Sequence, residues 1–123
     1  MLVIISDLHL TDGTSGASLP AGAFQIFAER LCDLAVSASH RSDGSYRPIE
    51  RIDLLLLGDV LDCIRSSHWL AGTVRPWSDP HTPEFYNTIS RITAEIFREN
   101  ESSLRVLRSL SRGDAIRIPP GTT

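Results

Sequence analysis

Two short apolar runs stand out in the chain, Leu2-Val3-Ile4-Ile5 and Leu54-Leu55-Leu56-Leu57, because neither alternates with polar positions. An unbroken run of this kind suits a strand buried on both faces. Leu2 to Ile5 therefore predicts a central strand, and Ile52 to Leu57, interrupted only by Asp53, predicts a second. Between them, Thr11 to Gly22 is rich in Gly, Ser and Thr and holds Pro20, which reads as a loop. From Ala23 to His40 the residues Phe24, Phe27, Ala28, Leu31, Leu34, Ala35 and Ala38 recur at three-and-four spacing, so an amphipathic helix is expected there. Its end is marked by the polar stretch Arg41-Ser42-Asp43-Gly44-Ser45. Strand, helix and strand in that order predict a βαβ unit, whose crossover makes the two strands parallel.

Beyond the second strand the pattern changes. Ser66 to Pro80 contains two tryptophans and two prolines without periodicity, and predicts a loop over the edge of the sheet. Thr82-Pro83-Glu84 then reads as a helix start, with Thr82 as N-cap, Pro83 in the first helical position and Glu84 near the positive end of the dipole. Phe85, Ile89, Ile92, Ile96, Leu104, Leu107 and Leu110 carry one apolar face to Arg112, before Gly113, and Asn100-Glu101-Ser102 admits a break. Ala115 to Ile118 starts a third strand-like run that Pro119-Pro120 cuts off.

Composition narrows the class. At 123 residues, with 41% hydrophobic and 22% charged residues, the chain has the size and make-up of one globular domain. No apolar run approaches the roughly 20 residues that span a bilayer, and no basic segment precedes the first strand as a secretory signal would require. Cys32 and Cys63 form no C-x-x-C pair and no disulfide framework. A cytoplasmic protein is expected. The net charge of −3 disfavours non-specific nucleic-acid binding. Residues 1–81 hold ten acids and six arginines, and residues 82–123 five acids and six arginines, so the acid is concentrated where the two strands lie.

Candidate chemistry follows the strands. Ser6-Asp7-Leu8-His9 comes after the first and Gly58-Asp59-Val60-Leu61-Asp62 after the second, which puts both clusters at the C-terminal ends of parallel strands, where open α/β sheets keep their sites. Asp7 and His9, two apart on an extended segment, project to one side and can offer an oxygen and a nitrogen to one cation. Asp59 arrives from the neighbouring strand end with two oxygens, and Gly58 before it leaves room for close approach. Asp62 reads as a carboxylate supporting a ligand or forming a turn. Arg65, on the segment leaving the site, is a candidate for gripping a substrate phosphate. His81, between Pro80 and Thr82, reads as a surface loop residue, and Cys63 as a small buried one.

The two blocks Ile5-Ser6-Asp7-Leu8-His9-Leu10 and Leu57-Gly58-Asp59-Val60-Leu61-Asp62 resemble the first two motifs, Asp-x-His and Gly-Asp-x-x, of the calcineurin-like metallophosphoesterase superfamily. The resemblance covers roughly residues 1–70. It implies an α/β fold in which two sheets pack as a sandwich flanked by helices. It also implies a centre of two divalent metal ions (Mn, Fe or Zn) that clamps a phosphoester for in-line hydrolysis, as a phosphomonoesterase or phosphodiesterase. Asp7 and His9 would be ligands of the first ion, and Asp59 would bridge both.

The later motifs of that superfamily, Gly-Asn-His followed by an acid and Gly-His-x-His, do not occur: Asn87 and Asn100 have neither a preceding glycine nor a following histidine. Residues 1–123 therefore read as an incomplete metallophosphoesterase domain, an N-terminal portion with its second metal site unfinished and little activity of its own. Two other readings stay open, a DNA-processing nuclease of the same superfamily and a truncated, non-catalytic remnant. A Rossmann nucleotide-binding protein is disfavoured, because no Gly-x-Gly-x-x-Gly follows the first strand. Nothing in the sequence points to an oligomeric state.

Overall fold

The computed structural model describes residues 1–121, a mixed α/β chain in the order β1 (Leu2–Ser6), α1 (Ala21–Ser39), β2 (Asp53–Leu57), a short 3₁₀ turn η1 (Ser67–Leu70), α2 (Pro83–Glu99) and α3 (Glu101–Ser109). β1 and β2 pair in parallel, with Val3 opposite Leu54 and Ile5 opposite Leu56, so the expected βαβ unit is present. No helix among the described residues is long and apolar enough to cross a membrane.

The sheet departs from expectation in its depth. Among the described residues it has two strands, so β1 has one neighbour and is not central. Val3, Ile5 and Leu54 are half-buried on one face, where Ile5 lines a small apolar cavity of about 140 Å³ together with Ala23, Phe24 and Phe27 of α1. The opposite face carries Leu2, 62% exposed, and Ile4, 54% exposed, beside Leu55 and Leu57. Continuous apolar runs imply two buried faces only when layers lie on both sides, and here the face of Leu2 and Ile4 is left exposed. The two-sheet sandwich is thus not present among the described residues. Leu34, on the predicted core face of α1, is exposed as well.

The core sits below the C-terminal ends of the strands instead. Leu10, Phe24, Trp69, Ile92 and Ile96 form it, with Leu8, Leu61, Cys63, Phe85 and Leu107 packed around them. Ser66–Pro80 is therefore more than a loop across the sheet edge: η1 drives Trp69 into the core, its indole N–H donating to the Cys63 carbonyl at 2.7 Å. Trp77 stays out, 83% exposed.

Helix boundaries follow local chemistry. Thr82 caps α2, its hydroxyl accepting from the Phe85 N–H at 3.3 Å with Pro83 next in line. At the break, buried Asn100 closes α2 and opens α3, and its side-chain amide donates to the carbonyls of Ile96 at 2.8 Å and Thr11 at 2.7 Å. α3 ends at Ser109, short of the predicted Arg112, and tighter i to i+3 turns carry the chain through Leu110, Ser111 and Arg112. Ala115–Ile118 forms no strand. Pro119 and Pro120 lack the N–H a ladder needs, and the segment is tied to the chain by the Tyr46 hydroxyl donating to the Pro119 carbonyl at 2.6 Å.

Asn100 joins the β1–α1 loop to the helical layer, and its removal takes the shorter of two hydrogen bonds from the carbonyl of the fully buried Thr11, leaving the one from the Ser18 hydroxyl at 3.3 Å. Asn100→Ala is expected to destabilise the chain by about 1–3 kcal/mol, the net contribution of the two buried side-chain hydrogen bonds it removes. Urea unfolding reads this as a lower midpoint at unchanged slope.

Candidate metal centre

The segments that leave β1 and β2 stay side by side past the sheet. The Asp7 N–H donates to the Leu57 carbonyl, the His9 N–H to that of Asp59 and the Leu10 N–H to that of Val60, each at 2.9 Å, and Leu10 bridges Leu61. This continued pairing fixes the register of the two acidic blocks before any ion is considered. Within it Leu8 and Leu10 turn to the core, while Asp7 is exposed and His9 half-exposed.

The backbone that presents them is not extended, as the two-residue spacing suggested. Asp7 has φ 56° and His9 φ 46°, the left-handed region that few residues other than glycine occupy. Gly58 is left-handed too, at φ 73°. A Cβ built on it would overlap the Asp7 carboxylate oxygen Oδ1, so glycine at this position leaves the carboxylate the place it occupies.

As a result Asp7, His9 and Asp59 each offer one ligand atom, and these atoms lie within 4.8 Å of one another. The structure thus brings together three residues able to hold a metal ion, two carboxylates and an imidazole from two strand ends. Asp7 Oδ1 also accepts from the Asp59 N–H at 3.3 Å, which ties the carboxylate to the opposite block.

Asp62 stands behind His9. Its Oδ2 is 3.1 Å from His9 Nδ1, and its Oδ1 accepts from the Arg65 N–H at 3.1 Å. A proton on Nδ1 shared with Asp62 leaves Nε2 as the basic nitrogen, the tautomer a metal ligand requires. Burial, the largest influence on Asp62, pushes its carboxyl up. The Arg65 N–H, the His9 ring and the Arg65 guanidinium together outweigh it and hold the group below the ordinary carboxylate value. Arg65 Nε lies 3.8 Å from Asp62 Oδ2 while the side chain remains 57% exposed, so the guanidinium is both tethered and open to solvent at the rim.

Asp62→Ala is expected to weaken metal binding roughly ten- to a hundredfold, the range found when a residue that orients a ligating histidine is lost. Calorimetric titration with Mn²⁺ measures it.

The centre lies in the open. The larger concavity of about 910 Å³ is elsewhere, lined by Gln25 of α1 and by Arg105, Arg108 and Arg112, and contains none of the three residues. His81 is exposed, and Cys63 is half-buried against the core with no base assigned to it. A second group of metal-capable side chains, Asp12, His68 and Glu95, escaped the sequence reading, since residues so far apart leave no motif. No protein-family model matches the chain, and neither does any curated protein or solved structure.

Proposed function

We propose that Asp7, His9 and Asp59 are the metal ligands of a phosphoester hydrolase of the calcineurin-like metallophosphoesterase type. The observation that supports this reading is their convergence within 4.8 Å at the C-terminal ends of two parallel strands. Two divalent cations bound there would supply Lewis-acid charge to a phosphoryl group and lower the pKa of a nucleophilic water.

The chain's own residues have distinct tasks in that scheme. Asp59, carboxylate-bearing and exposed, reaches the site from β2 and is the group shared between two ions. Asp7 and His9 anchor the first ion from β1. Asp62 holds the His9 ring in its ligating tautomer. Arg65, tethered by its Nε yet open to solvent, is placed to pair with a non-bridging oxygen of a phosphoester, the contact a guanidinium fork makes best. The remaining ligands of a second ion are not supplied by any Gly-Asn-His or Gly-His-x-His block of this sequence, so one ion is held firmly and turnover by the chain alone is slight.

The test is Mn²⁺ titration of the chain with and without Asp7→Ala, followed by assay of an aryl phosphodiester with Mn²⁺ and with chelator. Loss of one equivalent of bound Mn²⁺ in the Asp7→Ala chain is the expected result, with at most weak, chelator-sensitive hydrolysis by the parent. Unchanged Mn²⁺ binding after Asp7→Ala overturns the reading.

A further inference from the structure

The second group of ligating side chains draws on three separate parts of the chain. Asp12 comes from the β1–α1 loop, His68 from η1 and Glu95 from α2, and one ligand atom of each lies within 4.8 Å of the others. None belongs to the Asp7, His9 and Asp59 centre or supports it.

Burial sets this cluster apart from a solvated charge patch. The Asp12 side chain is 0% exposed, that of His68 16% and that of Glu95 19%. Carboxylates are seldom buried this far without a partner that offsets their lost hydration.

Both carboxylates are held by neighbouring groups while they face the His68 ring. Asp12 Oδ1 accepts from the Thr14 N–H at 3.0 Å and the Thr14 hydroxyl at 2.6 Å, and its Oδ2 accepts from the Ser66 hydroxyl. Glu95 Oε1 accepts from Arg91 Nε at 3.3 Å, with an Arg98 nitrogen 3.7 Å away. His68 Nε2 contacts Glu95 Oε2 directly and lies 3.9 Å from Asp12 Oδ2. A single imidazole nitrogen thus looks at two carboxylates already fixed by other partners, Asp12 through both oxygens and Glu95 through its far one, as the outer hydrogen bonds of a metal site fix its ligands.

Bonding favours ionised carboxylates on both sides. At Asp12 burial acts upward and is outweighed by the Ser66 and Thr14 bonds, and at Glu95 the His68 contact comes first, so both carboxyls sit below their ordinary values.

From this arrangement we infer that Asp12, His68 and Glu95 form a second, independent site for a divalent transition-metal ion, with zinc the best match. Two carboxylates and a neutral imidazole supply a charge of −2 and a mixed oxygen and nitrogen donor set, and three protein ligands leave a fourth position for water. Ligand bonds of about 2.0–2.2 Å in a tetrahedron separate neighbouring donors by roughly 3.3–3.6 Å. The Asp12 to His68 spacing is near this, and Glu95, the most exposed of the three, has only to swing back from the ring. The ion would join the β1–α1 loop, η1 and α2, three segments that otherwise meet through a few hydrogen bonds and side-chain packing. A proton on His68, balanced by both carboxylates, is the competing occupant of the same space.

The experiment is Zn²⁺ titration calorimetry on the full chain carrying Asp7→Ala and Asp59→Ala, which remove the first centre, with circular dichroism to confirm folding. One equivalent of Zn²⁺ should remain, with a rise in melting temperature on its addition. Adding Glu95→Gln, which keeps the size and hydrogen-bonding capacity of the side chain, should lower the affinity at least roughly tenfold. His68→Ala should abolish it. If the double variant does not fold, Glu95→Gln in the otherwise unaltered chain should weaken one of two Zn²⁺ equivalents and leave the other. A folded double variant that takes up no Zn²⁺, or binding indifferent to both Glu95→Gln and His68→Ala, shows that a proton holds this cluster together and overturns the inference. Failure of the Asp7, His9 and Asp59 reading would show instead as Mn²⁺ binding unchanged by Asp7→Ala, so the two outcomes are separable.

Discussion

Gly58→Ala is expected to lower Mn²⁺ affinity at the Asp7, His9 and Asp59 centre roughly a hundredfold and to cost about 1–3 kcal/mol of stability. Two effects combine at this position. Gly58 has φ 73°, and a side-chain-bearing residue held in that region costs about 1–3 kcal/mol. The new Cβ would also occupy the place of Asp7 Oδ1, so the carboxylate has to rotate away from His9 and Asp59 or the two strand ends have to separate. Either movement removes a ligand, and a loss of about 2.7 kcal/mol in binding corresponds to a hundredfold in affinity. Calorimetry with Mn²⁺ and urea unfolding, run on the same variant, separate the two effects. Affinity within about threefold of the parent would mean that the close approach at Gly58 does not position the ligands.

Asp59→Asn is expected to lower Mn²⁺ affinity by between about a hundredfold and a thousandfold with almost no change in stability. The substitution keeps the shape of the side chain and removes its charge. At a ligand distance of about 2 Å, one unit of charge against a divalent ion is worth about 4 kcal/mol even with the dielectric constant of water, and the amide oxygen returns part of this. The fold should not notice, because the Asp59 contacts that join the strand ends are made by its backbone: its N–H donates to Asp7 Oδ1 and its carbonyl accepts from the His9 N–H. The readouts are the Mn²⁺ dissociation constant and the urea midpoint. A midpoint that falls while binding is spared would make Asp59 a structural residue.

What the sequence made legible depends on distance along the chain. The βαβ unit, the Thr82 cap and the break at Asn100 follow from local rules that act within a few residues, and all three are present. Asp7, His9 and Asp59 could be placed together because each follows an apolar run, and parallel pairing brings the ends of two such runs side by side. The depth of the sheet was not legible, since Leu2 and Ile4 carry the same apolar pattern whether or not a layer covers them. Asp12, His68 and Glu95 were invisible for a different reason. Their meeting depends on how η1 and α2 pack around Leu10, Trp69 and Ile96, and no spacing encodes that. The left-handed backbone at Asp7 and His9 also lay beyond reach, because neither residue type announces it.

That backbone sets function against stability. Holding an L-residue other than glycine in the left-handed region costs roughly 1–2 kcal/mol, somewhat less for aspartate. Asp7 and His9 are the non-glycine residues of the described chain found there, and both are metal-capable side chains. Selection for durability alone would drift toward glycine or asparagine at positions 7 and 9, which relax the backbone and blunt the site. A sequence library sorted only for resistance to heat or protease should therefore enrich metal-blind chains, whereas one sorted with Mn²⁺ present should keep Asp7 and His9.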